Sequence, residues 1–389
     1  MIPGLVAGVL VAALVPAGHP APPAPSLPLG DSGLAETRTA RTLERGVTLT
    51  RIVRGTEPAA AGDINTTTKG PWRVNVLTID PDRARGHLKA TYGADLSRTE
   101  TVTDLVAAED AVAGVNASFF TFTASRLYPG TPVGLGVYGG RLLSEPTTDG
   151  TEADLVIDSR RNTFAVGRLS YEGTVVNPRT KASLPIAQIN DPSPAVAEFT
   201  PEFGARTPSG DGTEVVLDKR GCVVRVAATR GTALAKGQTS VQAAGEQAAA
   251  LTALAKGCLT VKHRVTDASG RRVALEPGTY AVNGRYRLVE KGAVVVPDGT
   301  GSFFDRNPRT IAGTNRRGDL VLATIDGRMA TSVGTTMDET AEVAKALGLR
   351  DAINLDGGGS TTMVADGAVV NTPSGGSQRP VGDALVWDH

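Results

Sequence analysis

Residues Ala352 to Val364 read AINLDGGGSTTMV, and this stretch decides how the rest is read. Asp351–Asp356 (DAINLD) has the apolar content of a buried strand, and three glycines follow it. A glycine inside a strand or helix costs about 0.5–1 kcal/mol relative to alanine, so Gly357, Gly358 and Gly359 suit neither. They suit a sharp backbone turn that exposes successive N–H groups, a concave donor run that binds anions without a basic side chain. Asp356 arrives beside that loop at the carboxyl end of the strand, and Ser360, Thr361 and Thr362 add hydroxyls. A flexible turn is the alternative that the triplet alone leaves open. No Gly-Lys-Ser/Thr follows and the dinucleotide-binding spacing is missing, which excludes both common nucleotide loops.

Working outward, Met337–Leu347 has helical periodicity. Thr335 and Thr336 signal its start ahead of Asp338 and Glu339, and Gly348 closes it. TTMVADGAVVN predicts a hairpin around Asp366-Gly367. Upstream, TIAGTNRRGDLVLATIDG reads strand, turn, strand, and WRVNVLTIDP reads as a buried strand closed by Asp80-Pro81. TDLVAAEDAVA (Thr103–Ala113) is helical in spacing and stops at Gly114, where GVNASFF runs as a strand into a loop. VGLGVYGGRLLSEP predicts a hairpin at Gly139-Gly140. Residues 151–280 change texture to alternating runs with one helical segment, GEQAAALTALAKG, so they form either an inserted β-rich subdomain or the middle of one large sheet system. These readings predict an α+β fold. It is a mixed, strand-rich sheet system with few helices, forming one large domain over 71–388.

Composition agrees. Across 389 residues, glycine (46) and proline (24) are abundant while aromatics make up only 4%, a mixture of short strands and tight turns. Lys+Arg and Asp+Glu both number 40, so the formal charge is zero. A nucleic-acid binder carries a basic surplus, and none is expected as partner here.

Leu5–Val15 (LVAGVLVAALV) is an eleven-residue apolar run, too short for the roughly 20 residues of a spanning helix. It fits the core of a secretory signal over residues 1–21, although Met1-Ile2-Pro3-Gly4 has no basic residue. Residues 22–45 read as a Pro-rich linker. A secreted, extracellular or cell-envelope protein without a membrane span in the mature chain is expected. Cys222 and Cys258 open two strand-like runs, GCVVRVAAT and GCLTVKHRV, and are either a disulfide or two buried thiols.

Other polar positions are weaker signals when taken singly. Asn116, in GVNASFF, either fixes a sugar hydroxyl or caps a turn. Arg309, in NPRTIAG, has the planar donor fork that suits phosphate or carboxylate, an ordinary salt bridge being the alternative. Asp326 ends the strand ATIDGR, and Glu339 is as much a helix-capping carboxylate as a reactive one. The four histidines form no ligand pattern, and HExxH and GxSxG are absent.

The order of segments resembles the phosphodiester glycosidase family. GVNASFF, LPIAQIN, AGEQAAALTALAKG, AVNGRYRLVEKGAVV, NPRTIAGTNRRGDLVLATIDG, TTMDETAEVAKALG, AINLDGGGSTTMV and RPVGDALVW follow one another over Pro71–Trp387, with NLDGGGST the most specific. The resemblance implies a hydrolase that splits a sugar-1-phosphodiester at the glycosidic bond, releasing free sugar and a phosphomonoester. It implies one pocket holding Asn116, Phe120, Arg309, Thr310, Asp326, Glu339 and Asp356 to Thr361. Asp356, Asp326, Asn116 and Glu339 would be its catalytic groups. One departure is AVNGRYRLV, where many relatives carry Gly-Gly-Pro, so Asn283 and Arg285 reshape that wall. Tyr128, Tyr280 and Tyr286 are the stacking candidates. Arg309 and the glycine backbone would hold phosphate, Asp356 or Asp326 would orient water, and a divalent cation between these two carboxylates has no independent support. A glycan glycosidase acting without phosphate and a non-catalytic binder of anionic polysaccharide are the competing readings.

Overall fold

A computed structural model describes residues 25–122, 124–192 and 196–388. The expected signal segment 1–21 lies outside them. Strands dominate, with three α-helices among the described residues: α1 (Val102–Ala108), α2 (Glu246–Leu254) and α3 (Met337–Ala346).

The largest sheet has eight antiparallel strands in the order Glu36–Glu44, Val47–Arg54, Trp72–Ile79, Leu320–Ile325, Arg309–Asn315, Leu349–Asn354, Arg287–Glu290 and Ala293–Val294. Its central strands are apolar on both sides because both faces are covered. Leu77, Ile79, Leu320, Leu322 and Ile353 face one core together with Val115, Met363, Leu385 and Trp387 of a second sheet and Leu155, Ile157 and Val282 of a third. Val74, Val321, Ala323 and Ile325 face the other core, where α3 lays down Met337, Ala341, Val343 and Ala344. The α3 start is as read from sequence. Thr336 accepts from the Glu339 N–H (3.1 Å) and the Glu339 carboxylate accepts from the Thr336 N–H (3.0 Å), a reciprocal capping box.

The first strand corrects an expectation. Residues 36–44, assigned to the linker, pair along Val47–Arg54, so this sheet begins well before residue 71. The alternation in ETRTARTLE and VTLTRIVR is the signal that the proline count of the preceding stretch masked. Helix α1 ends at Ala108 instead of running to Ala113. Asp110 takes φ +50 and Ala113–Asn116 is already strand.

Glu152–Asp158 and Thr279–Arg285, at the limits of the 151–280 region, pair with each other and join Gly136–Tyr138 in the third sheet. Between them lies a separate apolar cluster with Val175, Val215, Leu217, Val241, Leu251 and Leu254. Cys222 and Cys258 are disulfide-bonded beside it and face each other across an antiparallel bridge.

Candidate active site

Two loops leave neighbouring sheets and meet. The Leu349–Asn354 strand of the large sheet delivers Leu355 to Gly359, and the Ala113–Asn116 strand of the second sheet delivers Ala117 to Phe120. Asn116 stitches them together. Its Nδ2 donates to the Asp356 carbonyl (2.6 Å), and its Oδ1 accepts from Thr310 Oγ1 (2.8 Å) and the Thr362 N–H (3.1 Å). The Asp356 N–H donates to the Ala117 carbonyl (2.9 Å). Below, the buried Asp383 carboxylate accepts from the Ser118 N–H and hydroxyl (2.7 and 2.6 Å) and from the Tyr138 hydroxyl (2.8 Å), which fixes the second loop.

The result is a cavity of about 250 Å³ lined by Phe119, Ser302, Phe303, Asn307, Arg309, Arg328, Asn354, Asp356, Gly357 and Gly358. Four expected site residues therefore come together there: Asp356, Gly357, Gly358 and Arg309. Asp356 is half-buried. Enclosure by protein pushes its carboxyl up to about 6, against the opposing pull of the Ser360 hydroxyl, the Gly357 N–H and the Arg379 charge.

Two arginines face it across the cavity. Arg309 is buried and pinned by backbone carbonyls, its Nε donating to Thr335 (3.2 Å) and its Nη2 to Phe303 and Asp305 (both 2.8 Å). Burial, then the neighbouring Arg328 charge, pull its pKa down to about 10. Arg328 is held by Asn307 Oδ1, which accepts from its Nε (3.0 Å) and Nη2 (2.7 Å), on a backbone at φ +62. A non-glycine residue in that region costs about 1–3 kcal/mol and such strain clusters at functional sites. Among the described residues no carboxylate forms a salt bridge with Arg309, Arg328 or Arg379. Asn354 Oδ1, on the cavity wall, is buried without a hydrogen-bond partner. A pocket with unpaired cations and an orphaned acceptor is built for a polar, anionic ligand.

The glycines have another use than the one expected. Gly358 N–H donates to the Pro308 carbonyl (2.8 Å), and those of Ser360 and Thr361 close a tight turn onto Gly357 and Gly358 (3.1 and 3.3 Å). These three N–H groups are spent on backbone carbonyls and are not free for an anion. What the absent side chains provide is close approach. A β-carbon at Gly357 would lie 2.8 Å from the Pro308 oxygen, and one at Gly359 would lie 2.1 Å from Arg379 Nη2. Gly358 sits at φ +59 with Arg328 Nη2 3.2 Å from where its β-carbon would be. The triplet lets two guanidinium groups rest on the loop.

Other expected site residues support the pocket from outside. Asp326 is buried behind the loop, accepting from Asn371 Nδ2 (3.2 Å) and the Thr372 N–H (3.0 Å), and burial pushes its carboxyl up to about 6. Asn371 passes the constraint on by donating to the Thr361 carbonyl (3.0 Å) and accepting from the Met363 N–H (2.8 Å). Glu339 caps α3 and pairs with Arg306 (2.7 Å). Thr310, Ser360 and Thr361 are buried in the frame. Phe120 bridges to Pro132, and Phe119, its neighbour, lines the cavity instead. Asn283 holds the Phe119 backbone, accepting from its N–H (3.1 Å) and donating to its carbonyl (3.4 Å), while Arg285 lies 4.9 Å over the Phe119 ring. Of the three tyrosines, Tyr286 packs on Phe303, 5.6 Å between ring centres. No group of three or more His, Cys, Asp or Glu side chains suited to a metal is present among the described residues.

Sequence reasoning missed Arg328, Asn354 and Phe303. Arg328 follows an Asp-Gly pair that reads as a routine turn, and Asn354 sits inside a strand. Their signal is spatial.

Residues 211–387 match the phosphodiester glycosidase family. The matched segment contains Arg309, Arg328, Asn354 and Asp356, so the resemblance drawn from the motifs is found over that segment. The bovine and mouse N-acetylglucosamine-1-phosphodiester α-N-acetylglucosaminidases are 42% and 39% identical to this chain over 66 and 79 residues. These stretches are 17% and 19% of this chain and 12% and 15% of the two enzymes, so it spans only a small part of either. A prophage-derived protein of Bacillus subtilis, YomE, is 36% identical over 81 residues, 21% of this chain and 13% of its own length. The solved structure of a candidate exported protein from Burkholderia pseudomallei superposes with a TM-score of 0.82 at 27% identity, covering 95% of this chain and all of that one. A hypothetical protein from Synechocystis shares the fold, with a TM-score of 0.68 at 19% identity over 88% of this chain and 62% of its own.

Proposed function

We propose that this protein hydrolyses a sugar-1-phosphodiester at the glycosidic C1–O bond, giving the free sugar and a phosphomonoester. The observation that carries the reading is a carboxyl facing two arginines that form no salt bridge among the described residues, within the family-matched segment. Water attacks C1 as Asp356 takes its proton. The C1–O electron pair stays with oxygen, which departs as part of the phosphate and turns a monoanion into a dianion. An ordinary glycosidic bond needs a second carboxylic acid to protonate the leaving oxygen, whereas a phosphate leaves without that help. The acceptor of the added charge is the pair Arg309 and Arg328, held in place before the reaction by carbonyls and by Asn307. With its carboxyl at about 6, Asp356 is mostly ionised at neutral pH and still basic enough to accept a proton.

Asp326 and Asn116 act by positioning the loop, and Phe119 and Phe303 give the sugar an apolar wall. Export through the segment 1–21 fits both the Cys222–Cys258 disulfide and the likeness to the Burkholderia protein.

Incubation of the purified protein with an N-acetylglucosamine-1-phosphodiester, followed by phosphorus NMR, tests this reading. A growing monoester signal supports it. Release of sugar from a phosphate-free glycan alone would point to the plain glycosidase, and binding without turnover to a polysaccharide-binding protein.

A further inference from the structure

Two cavities of about 720 and 740 Å³ share no lining residue with the catalytic one. They meet at Val261, which lines both. We propose that together they form a binding surface for a polyanionic glycan, a sugar chain that carries phosphate or carboxylate groups at intervals.

Three observations carry it. The first is charge. Six Lys or Arg side chains and three acids line the two cavities, in a chain whose formal charge is zero. Each acid already has an arginine: Glu202 pairs with Arg141, Glu172 lies 3.8 Å from Arg264, and Asp218 lies 3.7 Å from Arg220. Lys219, Lys236, Lys262 and Arg272 form no salt bridge among the described residues. Cations without acids on a concave wall suit a ligand that brings the negative charge. The second is spacing. Lys262 and Arg264 are exposed and alternate along the Thr260–Asp267 strand, so they stand on one face about 7 Å apart. Arg272 bridges to Thr266, the next position on that face. Such a row is longer than a single phosphate or carboxylate and fits a chain with recurring charges. The third is construction. The Cys222–Cys258 disulfide fastens the turn carrying Lys219 to the start of that strand. Two backbone bonds reinforce it, from the Leu259 N–H to the Gly221 carbonyl (2.8 Å) and from the Val223 N–H to the Gly257 carbonyl (2.9 Å).

The lining also selects among polyanions. No Phe, Tyr or Trp side chain lines either cavity, so nucleic-acid bases find nothing to stack on. None of the exposed large apolar side chains among the described residues lies there, so a lipid surface or a protein hot spot has no anchor. Thr174, Gln238 and Thr239 add polar groups that pair with sugar hydroxyls.

The test measures binding of dextran phosphate, carboxymethyl dextran and plain dextran by calorimetry. The three share a backbone and differ in charge, and none of the readouts needs turnover, so they stand apart from the reading of the catalytic cavity. Wild type should bind one or both charged dextrans about tenfold or more tightly than plain dextran, and added salt should weaken that binding. The tighter of the two identifies the anionic group. Two paired reversals of exposed charges, Lys219→Glu with Lys236→Glu and Lys262→Glu with Arg272→Glu, should each weaken it by about tenfold or more, and the corresponding changes to Gln by less, with the melting temperature unchanged. Equal binding of charged and plain dextran, or charged binding that survives both reversals, overturns the proposal. So does tighter binding to single-stranded DNA, or to vesicles of an anionic phospholipid, than to either charged dextran.

Discussion

Gly359→Ala separates a side chain from the backbone on which it rests. Gly359 does not have a positive φ, so alanine meets no backbone penalty there. Its β-carbon would lie 2.1 Å from Arg379 Nη2 and 2.5 Å from Cζ, where ordinary contact begins near 3.4 Å. The guanidinium must retreat by at least 1.3 Å (3.4 minus 2.1), and it also loses its place 4.4 Å over the Phe122 ring. It is the end of a flexible side chain, so the fold should survive with a stability loss of about 1 kcal/mol or less. Arg379 is, however, a charge that holds the Asp356 carboxyl down. Losing one nearby opposite charge altogether raises a carboxyl by about one unit or more, so a partial retreat of Arg379 moves Asp356 further above about 6 by at most that amount. The acid limb of kcat/KM should move up accordingly. Activity should fall by up to about tenfold at pH 5 and by up to about twofold at pH 7, with an unchanged alkaline plateau. Steady-state kinetics between pH 4.5 and 9 would measure the limb (the range is about two units either side of neutrality), and a crystal structure would show the displaced arginine. An unmoved acid limb with Arg379 visibly displaced would refute the electrostatic account of Asp356.

Two further outcomes follow from the same carboxyls. Asp356→Asn keeps size and removes the base, so kcat should fall by about 10²–10⁴ with little change in melting temperature, whereas Asp326→Asn should cost less activity and more stability; equal kinetic losses would place both carboxyls in the chemistry. Burial raises Asp326 and Asp356 from 3.8 to about 6 and Glu145 from 4.5 to about 8. Each binds its proton more tightly in the folded chain, so the stability it adds is complete below about pH 4 and is lost as pH rises through 6 and then 8. Calorimetry should show a higher melting temperature at pH 5 than at pH 8.5, and the reverse order would contradict these shifts.

Much of the frame was legible because it depends on local signals. The strand before the glycines, the Thr336 and Glu339 cap and the hairpins at Gly139 and Asp366 all follow from short patterns, whereas the pairing of Cys222 with Cys258, left open by the sequence, is decided by the antiparallel bridge that brings them together. The strand at 36–44 was hidden by the prolines before it, and α1 was drawn too long because no proline or glycine precedes Gly114 to stop it. The site divides in the same way. Asp356 and Arg309 were found because their residue types suit the chemistry and they line the cavity. Asn116, Thr310 and Asp326, expected in the same pocket, lie behind its wall, and their polar atoms are consumed by Thr362, Asn371 and each other. Sequence shows that a polar residue is present and does not show which of its hydrogen bonds are already taken. Arg328 escaped because only folding brings it to Gly358.

The most direct measurement is hydrolysis of a sugar-1-phosphodiester in heavy-oxygen water, with the label located by phosphorus NMR and mass spectrometry. Attack at C1 with phosphate departing toward Arg309 and Arg328 predicts label in the sugar hydroxyl and none in the phosphomonoester. Label in the phosphomonoester would mean that the P–O bond breaks, and would contradict the account.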